Sequence, residues 1–269
     1  MTEISAAWQG LVAQLERAGS ARGRREMTAS TAEGWRLLER TLAAGVRPSA
    51  VLMSERAAAR PSADETRVID KLRSAGVPCV VAPDQVVHGL TGGRTFGDLL
   101  GIVSRPDIGL PALLAAAPRG GLLVGVDVLD PGNIGALTRT AHAFGAAGIV
   151  WVGGTDPRHP KALRASMGSC FCVPWTHAVA SPLAVVRQLA AAGWRNVATV
   201  ARGGGPLVGE ITGPCAIWMG GEAHGLADDV VSACDEALRI VTAAGVDSLS
   251  VNAAAAVVLS RLRSPGDYR

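Results

Sequence analysis

LLVGVDVLDPGNIGALTRTAHAFGAAGIVWV, residues 122–152, reads as strand, loop, helix, strand. Leu122 to Val128 is a short apolar run with β-branched residues. Asp130-Pro131-Gly132-Asn133 is turn chemistry, and Ile134, Leu137, Ala141 and Phe144 then fall on one helical face. Gly145 to Gly148 ends the helix, and Ile149-Val150-Trp151-Val152 is a second buried strand. The pattern is a βαβ unit, the building block of a parallel sheet. Its polar residues lie at the carboxyl end of the first strand, where open parallel sheets bind their ligands. Asn133 stands at the helix start and Arg139 less than two turns further along.

Downstream the alternation continues. The loop GGTDPRHPKA leads to a short helix over 161–168 that carries Arg164 and Ser166. Strands are expected at Phe171–Pro174, Asn196–Ala201, Cys215–Met219 and Leu238–Thr242, a helix at Pro182–Ala192, and a last helix at Ser248–Arg263. Three loops of glycine and polar residues follow three apolar strands: DPGNIGALTR, GGEAHGL and GVDSLSVN. Loops at the strand ends of one parallel sheet converge on one site.

Upstream, Ser104 to Gly121 is rich in proline and glycine and reads as a linker with a short helix over 111–117. Before it, helix (Ala32–Ala44), strand (Ala50–Met53), helix (Ala63–Ala75), strand (Val77–Val81), short helix (Gln85–Leu90) and strand (Leu99–Val103) make a small α/β sandwich. Residues 1–20 form a helix or arm, with Trp8, Leu11, Val12 and Leu15 at helical spacing. A basic segment follows, in which Arg22, Arg24 and Arg25 suit either a solvated face or a phosphate backbone. The expected division is therefore 1–105, a linker at 106–120, and 121–269.

The composition narrows the class. Of 269 residues, 48% are apolar and only 4% aromatic, which suits tightly packed α/β layers. The formal charge of +3 does not by itself mark a nucleic-acid binder. The basic residues are nearly all arginine, with lysine only at Lys71 and Lys161. That bias suits bidentate phosphate contacts, although GC-rich coding produces it equally. None of the five cysteines has C-x-x-C spacing; Cys170 and Cys172 are expected on one face of a strand, as reduced thiols. The start MTEISAAWQG has no leader pattern, and no stretch has the ~20 apolar residues of a membrane span. A cytoplasmic protein, not a membrane protein, is expected.

Several chemistries drop out. There is no G-x-G-x-x-G, no P-loop and no G-x-S-x-G elbow. Glu222 with His224 lacks a third ligand at metal spacing, so no metal is expected. Taken singly, Asn133 or Ser248 is a helix cap and Glu222 a loop carboxylate.

Taken in order, the same residues carry a resemblance. Asn133-x-Gly135-x-x-x-Arg139, then Gly220-Gly221-Glu222-x-x-Gly225-Leu226, then Ser248-Leu249 opening the last helix, resemble the three signature motifs of the SpoU (TrmH-like) RNA ribose 2′-O-methyltransferases of the SPOUT class. Ser166-x-Gly168 followed by Val173-Pro174 is similar to a further segment of that family. The match covers roughly 120–263. Residues 20–105 resemble, less sharply, the L30e-like domain that often precedes it. Thr95-Phe96-Gly97 is similar to a short segment of the thiostrepton-resistance ribosomal-RNA methyltransferases.

The resemblance implies an α/β fold whose C-terminal parallel sheet is tied in a deep trefoil knot, behind a small N-terminal α/β domain. It implies S-adenosyl-L-methionine as cofactor, a homodimer, and RNA as partner, ribosomal RNA before transfer RNA. The cofactor positions fall at Val200, Ala201, Gly220, Gly221, Ile240 and Leu249. Arg139 takes the place of the catalytic arginine; Asn133, Glu222 and Ser248 complete the catalytic set. Arg164 falls at a basic position for RNA; Arg22, Arg24 and Arg25 are further RNA candidates from their clustering alone. The reaction implied is attack of a ribose 2′-oxygen on a sulfonium methyl. A non-catalytic RNA-binding relative is the alternative. Two departures bear on it: the third motif is usually Ser-Leu-Asn, whereas here it is Ser248-Leu249-Ser250, with Asn252 two residues on, and the usual Ile-Pro before it is Ile240-Val241; Ser250 is the main support.

Overall fold

The computed structural model of the chain describes residues 2–92, 98–117 and 120–263. Thr95-Phe96-Gly97 lies outside the described residues. The chain divides into two compact units, Met1–Pro106 with Arg158–Phe171, and Asp107–Pro157 with Cys172–Arg269.

The first unit opens with α1 (Thr2–Gly19), which buries Leu11 and Leu15. Ser20 caps α2 (Ala21–Met27), its Oγ accepting from the Gly23 N–H at 3.0 Å. Gly23 is required at this corner, because a Cβ there would strike the Arg17 carbonyl. Then follow β1 (Ala29–Glu33), α3 (Trp35–Ala43), β2 (Ala50–Ser54), α4 (Glu55–Ala59), α5 (Ala63–Ser74), β3 (Cys79–Ala82), α6 (Asp84–Leu90) and β4 (Leu99–Ser104). The sheet order is β1-β4-β2-β3, with β4 antiparallel to both neighbours and β2 parallel to β3. One face packs Leu38, Val51, Met53, Val68 and Leu72 with α3 and α5; the other packs Leu52, Leu100 and Ile102 against Leu11 and Leu15 of α1. The expected α/β sandwich is present, with a strand that the pattern reading missed. Ala32 and Glu33 end β1 rather than begin a helix, because Gly34, at φ 87, turns the chain before Trp35.

The second unit begins with α7 (Leu110–Ala116), then β5 (Gly121–Val126), α8 (Pro131–Ala143) and β6 (Gly148–Val152), the expected βαβ unit. The chain then returns to the first unit for α9 (Pro160–Ser166) and most of α10 (Ser169–Cys172). The expected division gave this segment to the C-terminal domain. It belongs with the first unit because Leu163 and Phe171 are buried there, in the core that holds Leu37 and Leu72. The remaining elements are β7 (Trp175–Ala178), α11 (Pro182–Ala191), β8 (Arg195–Thr199), β9 (Gly205–Pro206), β10 (Ile211–Thr212), β11 (Cys215–Gly220), α12 (Asp228–Ala233), β12 (Glu236–Arg239), α13 (Val251–Leu259) and β13 (Leu262–Arg263).

Seven strands form one sheet in the order β7-β6-β5-β11-β8-β12-β9, and every pair is parallel. Its central strands β5, β6 and β11 are buried almost throughout, as their unbroken apolar runs require of a sheet covered on both faces. The buried Trp218 indole is satisfied: its Nε1 donates to Asn196 Oδ1 at 2.9 Å, and Asn196 Nδ2 donates to the Val186 carbonyl at 3.3 Å. β10 and β13 pair separately.

Three expectations are corrected. Phe171–Pro174 is not a strand: Gly168, at φ 88, turns the chain into the single helical turn α10, and the strand starts at Trp175 where β6 offers a partner. Cys170 is therefore buried while Cys172 is exposed, not on one face with it. The last helix starts at Val251, capped by Ser250 rather than Ser248, and ends at Leu259.

Two measurements follow from this packing. Phe171→Ala is expected to destabilise the first unit by about 3–5 kcal/mol, as deletion of a buried aromatic does, read by urea unfolding. In the folded protein at pH 8, N-ethylmaleimide is expected to label Cys172 first. Cys215, buried and with its thiol pushed up to about 11 by burial, is expected to react only after unfolding.

Candidate active site

The pairing of β5 with β11 sets the site. Their ends are level, with Val126 opposite Gly220, so the two following loops leave the sheet side by side. Strand order reverses here: β6 and β7 lie on one side, β8 and β12 on the other. Such a switch point opens a crevice at the carboxyl edge of a parallel sheet. The loops after β8 and β12 leave from the same edge.

Each loop is shaped locally. Asp130 caps α8, accepting from the Gly132 N–H at 2.9 Å, with Pro131 at the first helical position. Asn133 is thus the third residue of α8 and leaves the capping to Asp130. After β11, Gly221 bridges Gly225, and the Gly225 N–H donates to the Gly221 carbonyl at 2.9 Å. A side chain at Gly220 would overlap the Gly225 backbone, and one at Gly221 the Asp127 carbonyl, so both glycines are steric requirements.

Side chains then join three loops. Asn133 Nδ2 donates to Glu222 Oε1 across the β5–β11 seam. Asn252 Nδ2, at the start of α13, donates to Asn133 Oδ1 at 2.7 Å. α13 packs along α8 behind this contact. Arg139, roughly 9 Å further along α8 than Asn133 at the helical rise, is exposed. Its side chain makes no hydrogen bond or ion pair among the described residues, leaving the guanidinium open to an external anion.

The remaining expected residues fall around the same edge. The Val200 N–H donates to the Leu238 carbonyl at 2.9 Å, Ala201 is exposed beyond it, and Ile240 is half-buried past the end of β12. Ser248 and Leu249 are exposed in the loop before α13. Arg202 and Asp247 pair across the β8 and β12 loops at 3.0 Å, both largely in solvent, a contact worth little. Leu129, Val179, Val208, Val241, Val246 and Leu249 are all exposed, and all follow strands of this sheet. Among the described residues no three His, Cys, Asp or Glu side chains cluster as a metal site.

The expected RNA residues lie in the first unit. Arg22 is exposed and pairs with Glu26 at 2.7 Å; Arg25 is exposed. Arg24 is buried and donates to the Gly19 carbonyl at 2.5 Å, which makes it a helix-corner clamp. Arg164 pairs with buried Glu33 at 2.6 Å, and the two line a cavity of about 480 Å³ together with His159 and Lys161. Asn252, which sequence reading noticed without giving it a role, is brought to Asn133 by the fold.

Comparison with known proteins supplies the family. The SpoU rRNA Methylase family model matches residues 121–260. A 23S rRNA (guanosine(2553)-2′-O)-methyltransferase from Bacillus subtilis is 30% identical over 203 residues, covering 74% of this chain and 78% of the relative. The structure of the SpoU methyltransferase AviRb from Streptomyces viridochromogenes, in complex with AdoMet, aligns with a TM-score of 0.80 at 25% identity, over 93% of this chain and 95% of that one. An AdoMet-bound rRNA methyltransferase from Sinorhizobium meliloti aligns at 0.76 with 26% identity, over 93% and 92%. Since the family model spans more than half of the sequence and the motif residues meet at one edge of the sheet, the chain belongs to the SpoU rRNA Methylase family.

Proposed function

We propose that the chain is an S-adenosyl-L-methionine-dependent RNA methyltransferase that modifies a ribose 2′-hydroxyl in 23S ribosomal RNA. The observation that carries this reading is the Asn133–Glu222 tie, with the open guanidinium of Arg139 further along the same helix, in a member of this family. The Bacillus subtilis relative, named for 23S rRNA, favours ribosomal over transfer RNA.

The residues present fit the cofactor. Exposed Val241 and Leu249 supply apolar walls for an adenine ring, and the glycines at 220 and 221 let backbone approach closely. Val200, Ala201 and Ile240 lie on the neighbouring loops of the same edge, with backbone groups that suit the hydrogen-bonding rim of adenosine. When bound, the sulfonium supplies an electrophilic methyl group. The chain's part is to orient and activate the nucleophile. Arg139 holds the phosphate next to the target ribose and stabilises negative charge as it develops on the 2′-oxygen. Arginine stays protonated, so it is no base, and the hydroxyl proton leaves to that phosphate or to water. Asn133 and Glu222 hold the two central loops in register; a shift of ~1 Å at such a site costs about a hundredfold in rate.

The knotted arrangement belongs to the same proposal. β11 enters the sheet between β5 and β8, and the chain then passes beyond β8 to β12 before α13 returns to α8. That route supports threading of the C-terminal segment. Exposed apolar residues on the carboxyl-edge loops, with Val257 exposed on α13, support a homodimer built on this face. The four-stranded sheet with helices on both faces supports an L30e-like first unit. Arg22 and Arg25 are its exposed cations for RNA in the cytoplasm.

Nucleoside mass mapping of ribosomal and transfer RNA, with and without the protein, tests the function. A new 2′-O-methyl nucleotide in 23S RNA is expected, and its absence from all RNA refutes the reading. Arg139→Ala is expected to reduce methyl transfer by about a hundredfold or more, the usual loss of a transition-state charge partner. Calorimetry should show affinity for S-adenosylmethionine nearly unchanged in that variant. Light scattering is expected to give twice the chain mass.

A further inference from the structure

We infer that Asn252 is a positioning residue of this site: through its side-chain amide it fixes the orientation of Asn133 and so joins the α13 start to the Asn133–Glu222 tie. The inference deepens the methyltransferase reading and rests on it for its kinetic part.

The polarity of the contacts carries the assignment. A carboxylate oxygen only accepts, so Asn133 must turn its Nδ2 toward Glu222. Its Oδ1 is then left facing the other way, toward α13. Asn252 Nδ2 closes on that oxygen at 2.7 Å. Reversing either amide would set two acceptors or two donors against each other, so the chain Asn252, Asn133, Glu222 has one direction.

Position 250 is used otherwise. Ser250 is the N-cap of α13, and its Oγ accepts from the Ala253 N–H at 3.3 Å. Val251 turns inward and is buried. Asn252, one residue on, is the side chain of this turn that reaches α8. In this chain the third residue of the last motif is thus spent on capping, and the amide that meets Asn133 stands two residues later. The Asn252 Oδ1 is buried without a hydrogen-bond partner among the described residues. A residue held only for helix packing would carry no such cost, since Ala or Val would fill the space without it. The geometry therefore favours selection for the donated hydrogen bond. Its effect is to tie the loop after β12, which carries Leu249, to the loops after β5 and β11.

Kinetics at saturating S-adenosylmethionine, paired with side-chain amide NMR of the free protein, tests this. Asn252→Ala is expected to lower kcat about 10- to 100-fold, the scale of a small misplacement, with the KM for RNA nearly unchanged. Asn252→Asp is expected to fall as far, because a carboxylate cannot donate to Asn133 Oδ1 and sets two acceptors against each other. Asn252→Gln keeps a donor and is expected to recover part of the loss. Ser250→Ala is expected to lower the thermal midpoint and leave kcat within about twofold, the behaviour of a cap. The double variant Asn133→Ala/Asn252→Ala is expected to be no slower than Asn133→Ala alone, the mark of coupled residues. In the free protein, Asn252→Ala is expected to shift the Asn133 side-chain amide signal.

Wild-type kcat in Asn252→Ala, or losses that multiply in the double variant, would overturn the inference. An unmoved Asn133 amide signal would overturn it too, whatever the kinetics. If the wild type itself transfers no methyl group, the methyltransferase reading fails and the NMR arm alone decides whether Asn252 sets the Asn133 amide.

Discussion

The level pairing of β5 with β11 is the constraint on which the site depends. It sets the Asp127 carbonyl against Gly221 so closely that no side chain fits between them. It brings Asn133 within reach of Glu222, although 89 residues separate them in sequence. A slip of one residue would turn every side chain of β11 to the opposite face. Trp218 would lose its bond to Asn196, and the loop after Gly220 would start from the wrong height. The hydrogen bond of a buried indole and the meeting of Asn133 with Glu222 are thus enforced by one register.

The position of β11 adds a topological cost. It lies in the middle of the sheet yet comes late in the chain, after β6, β7 and β8. The central pairs therefore close over long sequence separations, and such contacts form slowly because loop entropy is lost before they are made. The payoff is geometric: four loops from distant parts of the chain leave adjacent strands of one rigid edge. Catalytic groups on strand ends and helix starts are held more accurately than groups on long loops.

How much of this was legible in the sequence follows from whether the deciding partner was local. The βαβ unit of 121–152 was legible because strands buried on both faces read as apolar runs and Asp130-Pro131 announces a helix start. The loop after β11 was legible as a tight turn because its glycines serve local geometry: a Cβ at Gly220 would strike the Gly225 backbone, and Gly225 sits at φ 67; the distant contact of Gly221 with Asp127 was not legible. β1 was not, since Ala-Ser-Thr-Ala-Glu shows no apolar alternation and its burial comes from helices elsewhere in its unit. Cys-Phe-Cys alternates like a strand, but the left-handed turn at Gly168 and the pocket awaiting Phe171 decide otherwise. α9 carried no sign of its allegiance, because the residues that bury Leu163 lie far upstream. The place of Asn252 in the site depended on a contact across 119 residues, which no window along the chain contains.

The site divides into a fixed part and a loose part, and the division suits group transfer between two bound molecules. The Asn252–Asn133–Glu222 chain and the two close-packed glycines hold the centre by hydrogen bonds and steric fit. Around them, Val241 to Ser250 are exposed at every position; the Ser250 cap, the Asn252 bond next to it and a solvent-exposed ion pair at Asp247 tie the later part of the segment. Segments with few buried contacts open locally at low free energy. Their apolar side chains gain burial, at about 25 cal/mol per Å², only when a ligand or a second surface covers them. Binding free energy is then available to order the outer loop, while the distances that govern the chemistry are already set by the sheet.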